Sequence, residues 1–181
     1  MKPVRQSPPL PRVAIHTTDG VIIAEIDTVR APQTGRNFLR YVDGQFFSGG
    51  SFARTVTLSN QPTDSVRIEV IQAAIARARS VDQSPPIPLE RTRDTKLVHR
   101  DGTLSMARAA PNSAQSSFFV CIGDQPALDY GGRRNPDGEG FAAFGQVITG
   151  MDVARIIHQR PARGQNLTPP IRIDSIVRVR D

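Results

Sequence analysis

The chain has 181 residues, of which 38% are hydrophobic, and its formal net charge is +6. This length predicts a single domain, and the even spread of apolar residues excludes an intrinsically disordered protein. No apolar run approaches the roughly 20 residues that a membrane helix needs, so we expect no membrane insertion. The single cysteine, Cys121, excludes an intrachain disulfide framework, and its apolar surroundings predict an inert buried thiol.

The first twelve residues contain four prolines and no apolar core of the kind a secretory signal has. We therefore expect an extended, proline-rich lead-in over residues 1–12 and a domain over residues 13–181. The basic residues comprise 21 arginines and 2 lysines, scattered along the chain without a run of five like charges. This distribution indicates a general compositional bias more than a nucleic-acid surface, although arginine does suit phosphate.

Strands are predicted where β-branched and apolar residues alternate with polar ones, and Asp19-Gly20 predicts a hairpin between the first two. The predicted strands cover residues 13–15, 21–26, 52–56, 66–73, 103–107, 117–122, 141–148 and 171–179. Apolar spacing predicts helices over about 32–43 and 151–158. Residues 80–99 are polar and proline-rich, which is typical of an irregular loop, and 129–140 should be a surface excursion.

Strands and helices do not alternate regularly along this chain. The pattern therefore favours a mainly β protein with a closed or nearly closed antiparallel barrel over a doubly wound sheet. The three histidines, His16, His99 and His158, lack metal-ligand spacing, and we interpret each as a surface or loop histidine. Neither a Gly-x-Ser-x-Gly elbow nor a phosphate-binding P-loop occurs, so we expect no metal and no cofactor.

Five segments carry a pattern that is more informative than any of these absences. They are Phe52-Ala53-Arg54 with Val70-Ile71-Gln72, Gly102 to Ser113, Ser116 to Val120, Leu128-Asp129, and Phe141 to Val153. In these segments, and around Ala31-Pro32 and Asn37-Phe38, the chain resembles the cyclophilin family of peptidyl-prolyl cis–trans isomerases. The resemblance covers about residues 13–179. It implies a closed eight-stranded antiparallel β-barrel capped by two α-helices, with a shallow groove for an extended X-Pro peptide on its outer face.

The resemblance also implies roles for individual residues. Arg54 would donate to the nitrogen of the twisted prolyl amide, Gln72 would hold a substrate carbonyl and orient Arg54, and Phe119 would form the floor of the proline pocket. The other residues that it places against the substrate are Phe52, Val70, Ala107, Arg108, Ser117, Leu128 and Phe141. Among these, Leu128 and Val70 would be pocket walls, and Arg108 would contact the peptide backbone through its main chain.

Some positions depart from the family pattern. Ala53 replaces a histidine, Ser117 replaces a glutamine, and the segment 55–69 is longer than usual. The aromatic wall that the family has before Gln72 therefore has no clear counterpart here, and simple counting puts Glu69 in its place. Ala127 stands where cyclosporin-sensitive members carry tryptophan, so we expect weak cyclosporin binding. These changes also predict reduced turnover, with an active enzyme still expected.

Three functions remain open at this point. An isomerase acting on proline-containing peptides and on unfolded or folding proteins predicts activity that Arg54→Ala abolishes. A non-catalytic cyclophilin-like module for peptides or a partner predicts no activity even before mutation. Nucleic-acid binding predicts affinity that falls steeply with salt. We expect the first, with no nucleic acid as partner and a monomer as the family default. The resemblance looks bacterial and leaves the compartment open between cytoplasm and periplasm.

Overall fold

The computed structural model describes residues 8–180. The strands are β1 (Arg12–Thr17), β2 (Gly20–Ile26), β3 (Ser51–Val56), β4 (Val70–Ala74), β5 (Thr103–Met106), β6 (Phe118–Cys121), β7 (Ala143–Thr149), β8 (Ala162–Arg163) and β9 (Asn166–Arg178). The α-helices are α1 (Pro32–Asp43), α2 (Thr92–Thr95) and α3 (Met151–His158). Short 3-10 turns lie at Leu58–Asn60, Arg77–Asp82 and Pro126–Leu128.

Eight of these strands form a closed antiparallel barrel, as the sequence predicts. The neighbours follow the order β1-β2-β7-β5-β6-β4-β3-β9, and β1 pairs with β9 to complete the ring. The additional strand, β8, has two residues and forms a small hairpin with the start of β9. Closure removes the exposed strand edges that an open sheet would present to other chains.

The two longer helices lie against the barrel at different strands, α1 against β7 and β9 and α3 against β2, β3 and β4. Phe38 of α1 enters the core and meets the rings of Phe47, Phe118 and Phe144 at centroid distances of 5.1–5.7 Å. All four rings are almost completely buried. Such tilted and edge-on pairs stabilise a core beyond the apolar area they remove from water.

Both predicted helices are confirmed with the expected bounds. Pro32 occupies the first turn of α1, where its missing N–H leaves no bond unmade. The Glu90 carboxylate accepts hydrogen bonds from the backbone N–H groups of Gln33 and Thr34 and from the Thr34 hydroxyl. Glu90 belongs to the segment 80–99, so this segment caps α1 and also contains α2, rather than forming the wholly irregular loop that its composition suggested.

The predicted strand over 66–73 begins four residues later, at Val70. Ile68 cannot enter the ladder because the Gln61 side chain occupies both of its backbone groups. Gln61 Oε1 accepts from Ile68 N–H at 3.1 Å, and Gln61 Nε2 donates to the Ile68 carbonyl at 2.7 Å. The amide side chain therefore replaces a neighbouring strand.

The prediction of a surface or loop position was wrong for His158, which is buried in α3, whereas His99 does lie in a loop but is buried as well. His99 and His158 are each only 2% exposed, whereas His16 is partly exposed. Burial is possible because both rings find hydrogen-bond partners, His99 on Asp129 and Ser105 and His158 on the Val56 carbonyl and Gln159.

The predicted lead-in over 1–12 is described only from residue 8 onward. Residues 8–11 have no regular structure, and β1 begins at Arg12. The Pro11 carbonyl accepts from Ile26 N–H at 2.8 Å, which fixes this segment beside β2. Residues 1–7 and residue 181 lie outside the described part of the chain. Within residues 8–180, every helix is too short or too polar to cross a bilayer.

Candidate active site

A cleft of about 610 Å³ lies on the outer face of the barrel. Its lining comes from β3, β4 and β6 and from the segments that follow β5 and β6. The predicted site residues found there are Arg54, Val70, Gln72, Ala107, Arg108, Ser117, Phe119, Leu128 and Phe141. The three central residues lie side by side on the adjacent strands β3, β4 and β6. Arg54 pairs with Gln72, and Gln72 pairs with Phe119.

The base of the cleft is apolar. Phe119 is 4% exposed and packs in a cluster with Val70, Leu128 and Ile68. The ring of Phe141 meets Phe119 edge-on, with centroids 5.4 Å apart and planes at 89°. Phe118, the preceding residue in β6, points into the barrel core instead, since successive strand residues face opposite sides. The result is an apolar pocket at the base of the cleft.

One wall of this pocket had no clear counterpart in the sequence. Simple counting placed Glu69 at the wall before Gln72, but Glu69 lies on the other side, with its carboxylate 3.6 Å from His158 Nε2. Ile68 lines the cleft in its place. Residues 68, 70 and 72 share a face in extended backbone, and the two hydrogen bonds between Gln61 and the Ile68 backbone hold Ile68 in that position.

Phe52 does not line the cleft, which corrects its prediction as a substrate contact. Its side chain is completely buried in the barrel core, with its ring 6.2 Å from that of Phe118. The pairing register of β3 shifts between Phe52 and Arg54. In a regular strand Phe52 and Arg54 would face the same side of the sheet. The bulge between them breaks this alternation, so they face opposite sides. Arg54 therefore faces the cleft while Phe52 faces the core.

Arg54 is held by amide oxygens and by no carboxylate within ion-pair distance among residues 8–180. Its Nη1 donates to Gln72 Oε1 at 2.9 Å. Its Nε and Nη2 both donate to Gln165 Oε1, at 2.9 and 2.6 Å. A guanidinium has five N–H donors, so these three bonds fix its plane and leave two donors for another acceptor.

Burial is the main cause that lowers the pKa of Arg54 from its usual value, and the positive charge of Arg134 adds to the effect, while Asp64 opposes it. An arginine stays protonated at neutral pH even so. The cleft therefore presents a positive charge that neutral partners hold and that water only partly screens. This is the environment in which a hydrogen bond from a guanidinium is strongest.

Both the oxygen and the nitrogen of the Gln72 side-chain amide make a hydrogen bond. Its oxygen accepts from Arg54, and its Nε2 donates to Ser117 Oγ at 3.3 Å. Ser117 in turn donates to the Ala73 carbonyl at 2.8 Å. Ser117, which departs from the family pattern, thus orients Gln72 so that its second amide hydrogen remains available in the cleft.

Arg108 lines the cleft, but its side chain is fully engaged in contacts within the protein. The side chain is 2% exposed, and its guanidinium donates to the Gly140 carbonyl and to both carboxylate oxygens of Asp137. It also lies 5.0 Å from the centroid of the Phe141 ring. These contacts fix the segment 137–141 beside the pocket and leave only the main chain of Arg108 for a ligand.

Sequence reasoning missed several polar residues of the cleft, and two of the missed residues make hydrogen bonds that shape it. Gln165, in the β8–β9 hairpin, binds Arg54 from 111 residues away along the chain. Arg134 lines the cleft and donates to Gln61 Oε1 and to the Val66 carbonyl. Neither lies in a segment that carries the family pattern, so no local signal could have identified them.

No group of three or more histidine, cysteine or carboxylate residues within 8–180 is arranged to hold a metal ion. Cys121 packs in the apolar cluster beneath the cleft, and burial, with the nearby negative charge of Asp129, raises the pKa of its thiol well above the usual value. The thiol is thus kept protonated and poorly nucleophilic. The cleft therefore offers hydrogen-bond donors and an apolar pocket, and the Cys121 thiol lies buried beneath them.

Comparison with known proteins gives a consistent result. The family model described as cyclophilin type peptidyl-prolyl cis-trans isomerase/CLD matches residues 12–178. Peptidyl-prolyl cis-trans isomerase A of Dickeya dadantii is 33% identical over 148 residues, which cover 81% of this chain and 70% of the relative. Peptidyl-prolyl cis-trans isomerase cyp18 of Streptomyces antibioticus is 30% identical, over 80% of this chain and 81% of the relative.

Solved structures agree on the fold. The crystal structure of a cyclophilin type peptidyl-prolyl cis-trans isomerase from Cryptosporidium parvum superimposes with a TM-score of 0.75 at 20% identity, over 95% of this chain and 99% of the other. A second structure of that protein, in the presence of the dipeptide Ala-Pro, gives a TM-score of 0.74 at 21% identity.

Proposed function

Because the chain belongs to the cyclophilin-type peptidyl-prolyl cis–trans isomerase family, we propose that it accelerates rotation about X-Pro bonds in the cleft around Arg54 and Phe119. The substrates are proline-containing peptides and unfolded or folding proteins. The apolar pocket takes the proline ring, and the Arg54 guanidinium meets the amide nitrogen as the bond twists.

The chemistry requires no covalent intermediate. The barrier of about 18–20 kcal/mol comes from the partial double bond between carbon and nitrogen, and the uncatalysed reaction takes tens of seconds or longer. At the twisted geometry the nitrogen recovers its lone pair and becomes a hydrogen-bond acceptor. A donor that binds only this form lowers the barrier without tightening the ground state.

The observation that carries the proposal is the way Arg54 is held. Two glutamine oxygens fix its plane, two N–H donors remain, and the apolar cluster of Phe119 adjoins it in the same cleft. A lysine could not be fixed in this manner, because an ammonium has no planar fork. Gln72 retains an amide hydrogen for a substrate carbonyl, which would hold one side of the amide while the other turns.

The test is a protease-coupled assay of cis-to-trans conversion in an X-Pro tetrapeptide at low temperature. We expect acceleration by the wild type and a loss of at least about 100-fold in kcat/KM for Arg54→Ala, which corresponds to about 2.8 kcal/mol of lost stabilisation of the twisted state. Arg54→Lys should recover little of this loss. Circular dichroism confirms that each variant is folded.

Arg163 provides a matched control, since it is an exposed arginine in the neighbouring hairpin and does not line the cleft. Arg163→Ala should retain wild-type activity. Full activity in a folded Arg54→Ala would contradict the proposed mechanism. A folded wild type without activity on any X-Pro peptide would contradict the function and favour a peptide-binding module.

A further inference from the structure

A buried histidine lies directly beneath the proline pocket, and nothing in the proposed function uses it. The His99 ring is parallel to that of Phe119, with planes at 15° and centroids 6.1 Å apart. The ring of Phe141 also contacts Phe119, but edge-on. The side chain of His99 is completely buried, which is costly for an imidazole unless both nitrogens have partners.

Both nitrogens do have partners. His99 Nδ1 lies 2.6 Å from Asp129 Oδ1, and His99 Nε2 lies 2.8 Å from Ser105 Oγ. A carboxylate can only accept, so the proton is on Nδ1, and in the neutral ring Nε2 accepts from the Ser105 hydroxyl. The chain Ser105–His99–Asp129 is thus fully satisfied in one tautomer.

This arrangement has the same residue types as the charge relay of serine hydrolases, but it cannot perform that chemistry. Ser105 is 0% exposed and lies inside the barrel wall, so no substrate carbonyl can reach its oxygen. A nucleophile must be accessible to the atom it attacks. The three residues must therefore act on their surroundings and not on a substrate directly.

These three residues are next to the residues that form the floor and wall of the proline pocket. Ser105 sits in β5 directly opposite Phe119 of β6. Asp129 follows Leu128, a pocket wall, and its carboxylate also accepts from His99 N–H at 2.9 Å. The His99 carbonyl accepts from Gln125 N–H, at the start of the turn that carries Leu128. His99 thus joins the strand beside the pocket floor to the loop that forms the pocket wall.

We propose that His99 is a positioning residue for isomerisation, which holds Phe119 and Leu128 in place through Ser105 and Asp129. The inference rests on the proposed function, because it assigns a role beneath that same cleft. Binding of the twisted amide depends on sub-ångström placement of the proline ring against Arg54. A pocket whose floor and wall shift independently would bind the ground state almost as well but the twisted state less well.

The test uses His99→Phe, which keeps an aromatic ring beneath Phe119 and removes both hydrogen bonds. We expect kcat/KM for an X-Pro peptide to fall about tenfold, the factor that ~1.4 kcal/mol represents. The Kd of the same peptide, measured by titration, should change less than about threefold if binding energy is lost mainly in the twisted state. The aromatic proton signals of Phe119 should shift in the NMR spectrum.

His158→Phe is the matched control, because His158 is equally buried and equally hydrogen-bonded but belongs to α3. It should lower the melting temperature and leave both kcat/KM and the Phe119 signals unchanged. If His99→Phe behaves like His158→Phe, with lower stability and wild-type kcat/KM, the positioning role is wrong.

Ser105→Ala decides the matter if His99→Phe does not fold. It removes one hydrogen bond and keeps the imidazole, so we expect about a threefold loss of kcat/KM and a smaller shift of the Phe119 signals. Unchanged values for both would overturn the proposal. A wild-type chain without isomerase activity would contradict the proposed function separately, and the Phe119 signals would still test whether His99 positions the pocket.

Discussion

Gln165 is the residue that most directly fixes the orientation of Arg54, since its single oxygen accepts two of the three hydrogen bonds from the guanidinium. Gln165→Leu keeps the volume and removes both bonds. We expect kcat/KM for an X-Pro peptide to fall about tenfold, because Arg54 would then have only Gln72 to orient it. Gln33→Leu, an exposed glutamine on α1, is the control and should have no effect. Equal activity of the two variants would show that Gln72 alone suffices.

Ala127 is the residue on which the expected cyclosporin affinity depends. It packs beside the apolar cluster of the cleft, where cyclosporin-sensitive relatives carry an indole with a donor and a large contact surface. We expect cyclosporin to bind this chain with a Kd weaker than about 1 µM, and Ala127→Trp to tighten it at least about tenfold. Isothermal titration measures both values. Nanomolar binding by the wild type would refute this expectation.

At the scale of elements, the Gln61 side chain replaces a strand partner for the segment before β4. It is 1% exposed and makes hydrogen bonds to both backbone groups of Ile68, to the Thr57 carbonyl and with Arg134. Gln61→Ala would leave those buried groups without partners, at a cost of about 2–4 kcal/mol in the free energy of unfolding. Urea denaturation measures the loss. Ser59→Ala, on the exposed turn nearby, should change stability by less than about 0.5 kcal/mol.

The sequence predicts the elements well where a local pattern controls them. Pro32 and the apolar spacing indicate the bounds of α1, and α3 follows from its spacing alone. The pattern fails where a distant side chain decides the outcome. The start of β4 depends on Gln61, the face of Phe52 depends on a bulge, and the second partner of Arg54 comes from a hairpin 111 residues away. The burial of His99 likewise depends on Asp129 and Ser105, which only the closed barrel brings together.

At the scale of the whole molecule, carboxylate–arginine pairs join elements that are far apart in sequence. The hydrogen bond from Arg178 of β9 lowers the pKa of Asp43 at the end of α1, and burial opposes this effect. The hydrogen bond from Arg108 likewise lowers the pKa of Asp137, and one from Glu139 N–H adds to it. Each pair therefore links two parts of the fold most strongly when its carboxylate is ionised.

Acid should weaken these links in a defined direction. The folded pKa of each carboxyl lies below its unfolded value of about 3.9, so ionisation stabilises the fold above that pH, and the contribution disappears as the pH falls through the folded pKa. We expect the free energy of unfolding to change little between pH 7 and 5 on account of these groups and to decrease below about pH 4. Urea titrations across this range measure it. Asp43→Asn should be less stable at pH 7 and lose less on acidification, and a slope equal to that of the wild type would exclude a contribution from this pair.

The position of Cys121 allows local opening at the base of the cleft to be measured by thiol labelling. Cys121 belongs to the same apolar cluster as Phe119 and Leu128 and is 0% exposed. A thiol reagent can reach it only when the base of the cleft opens, so the labelling rate in native buffer counts those openings. Occupancy of the cleft by a proline peptide would slow this rate in proportion to the fraction bound, which allows affinity to be followed without a substrate chromophore.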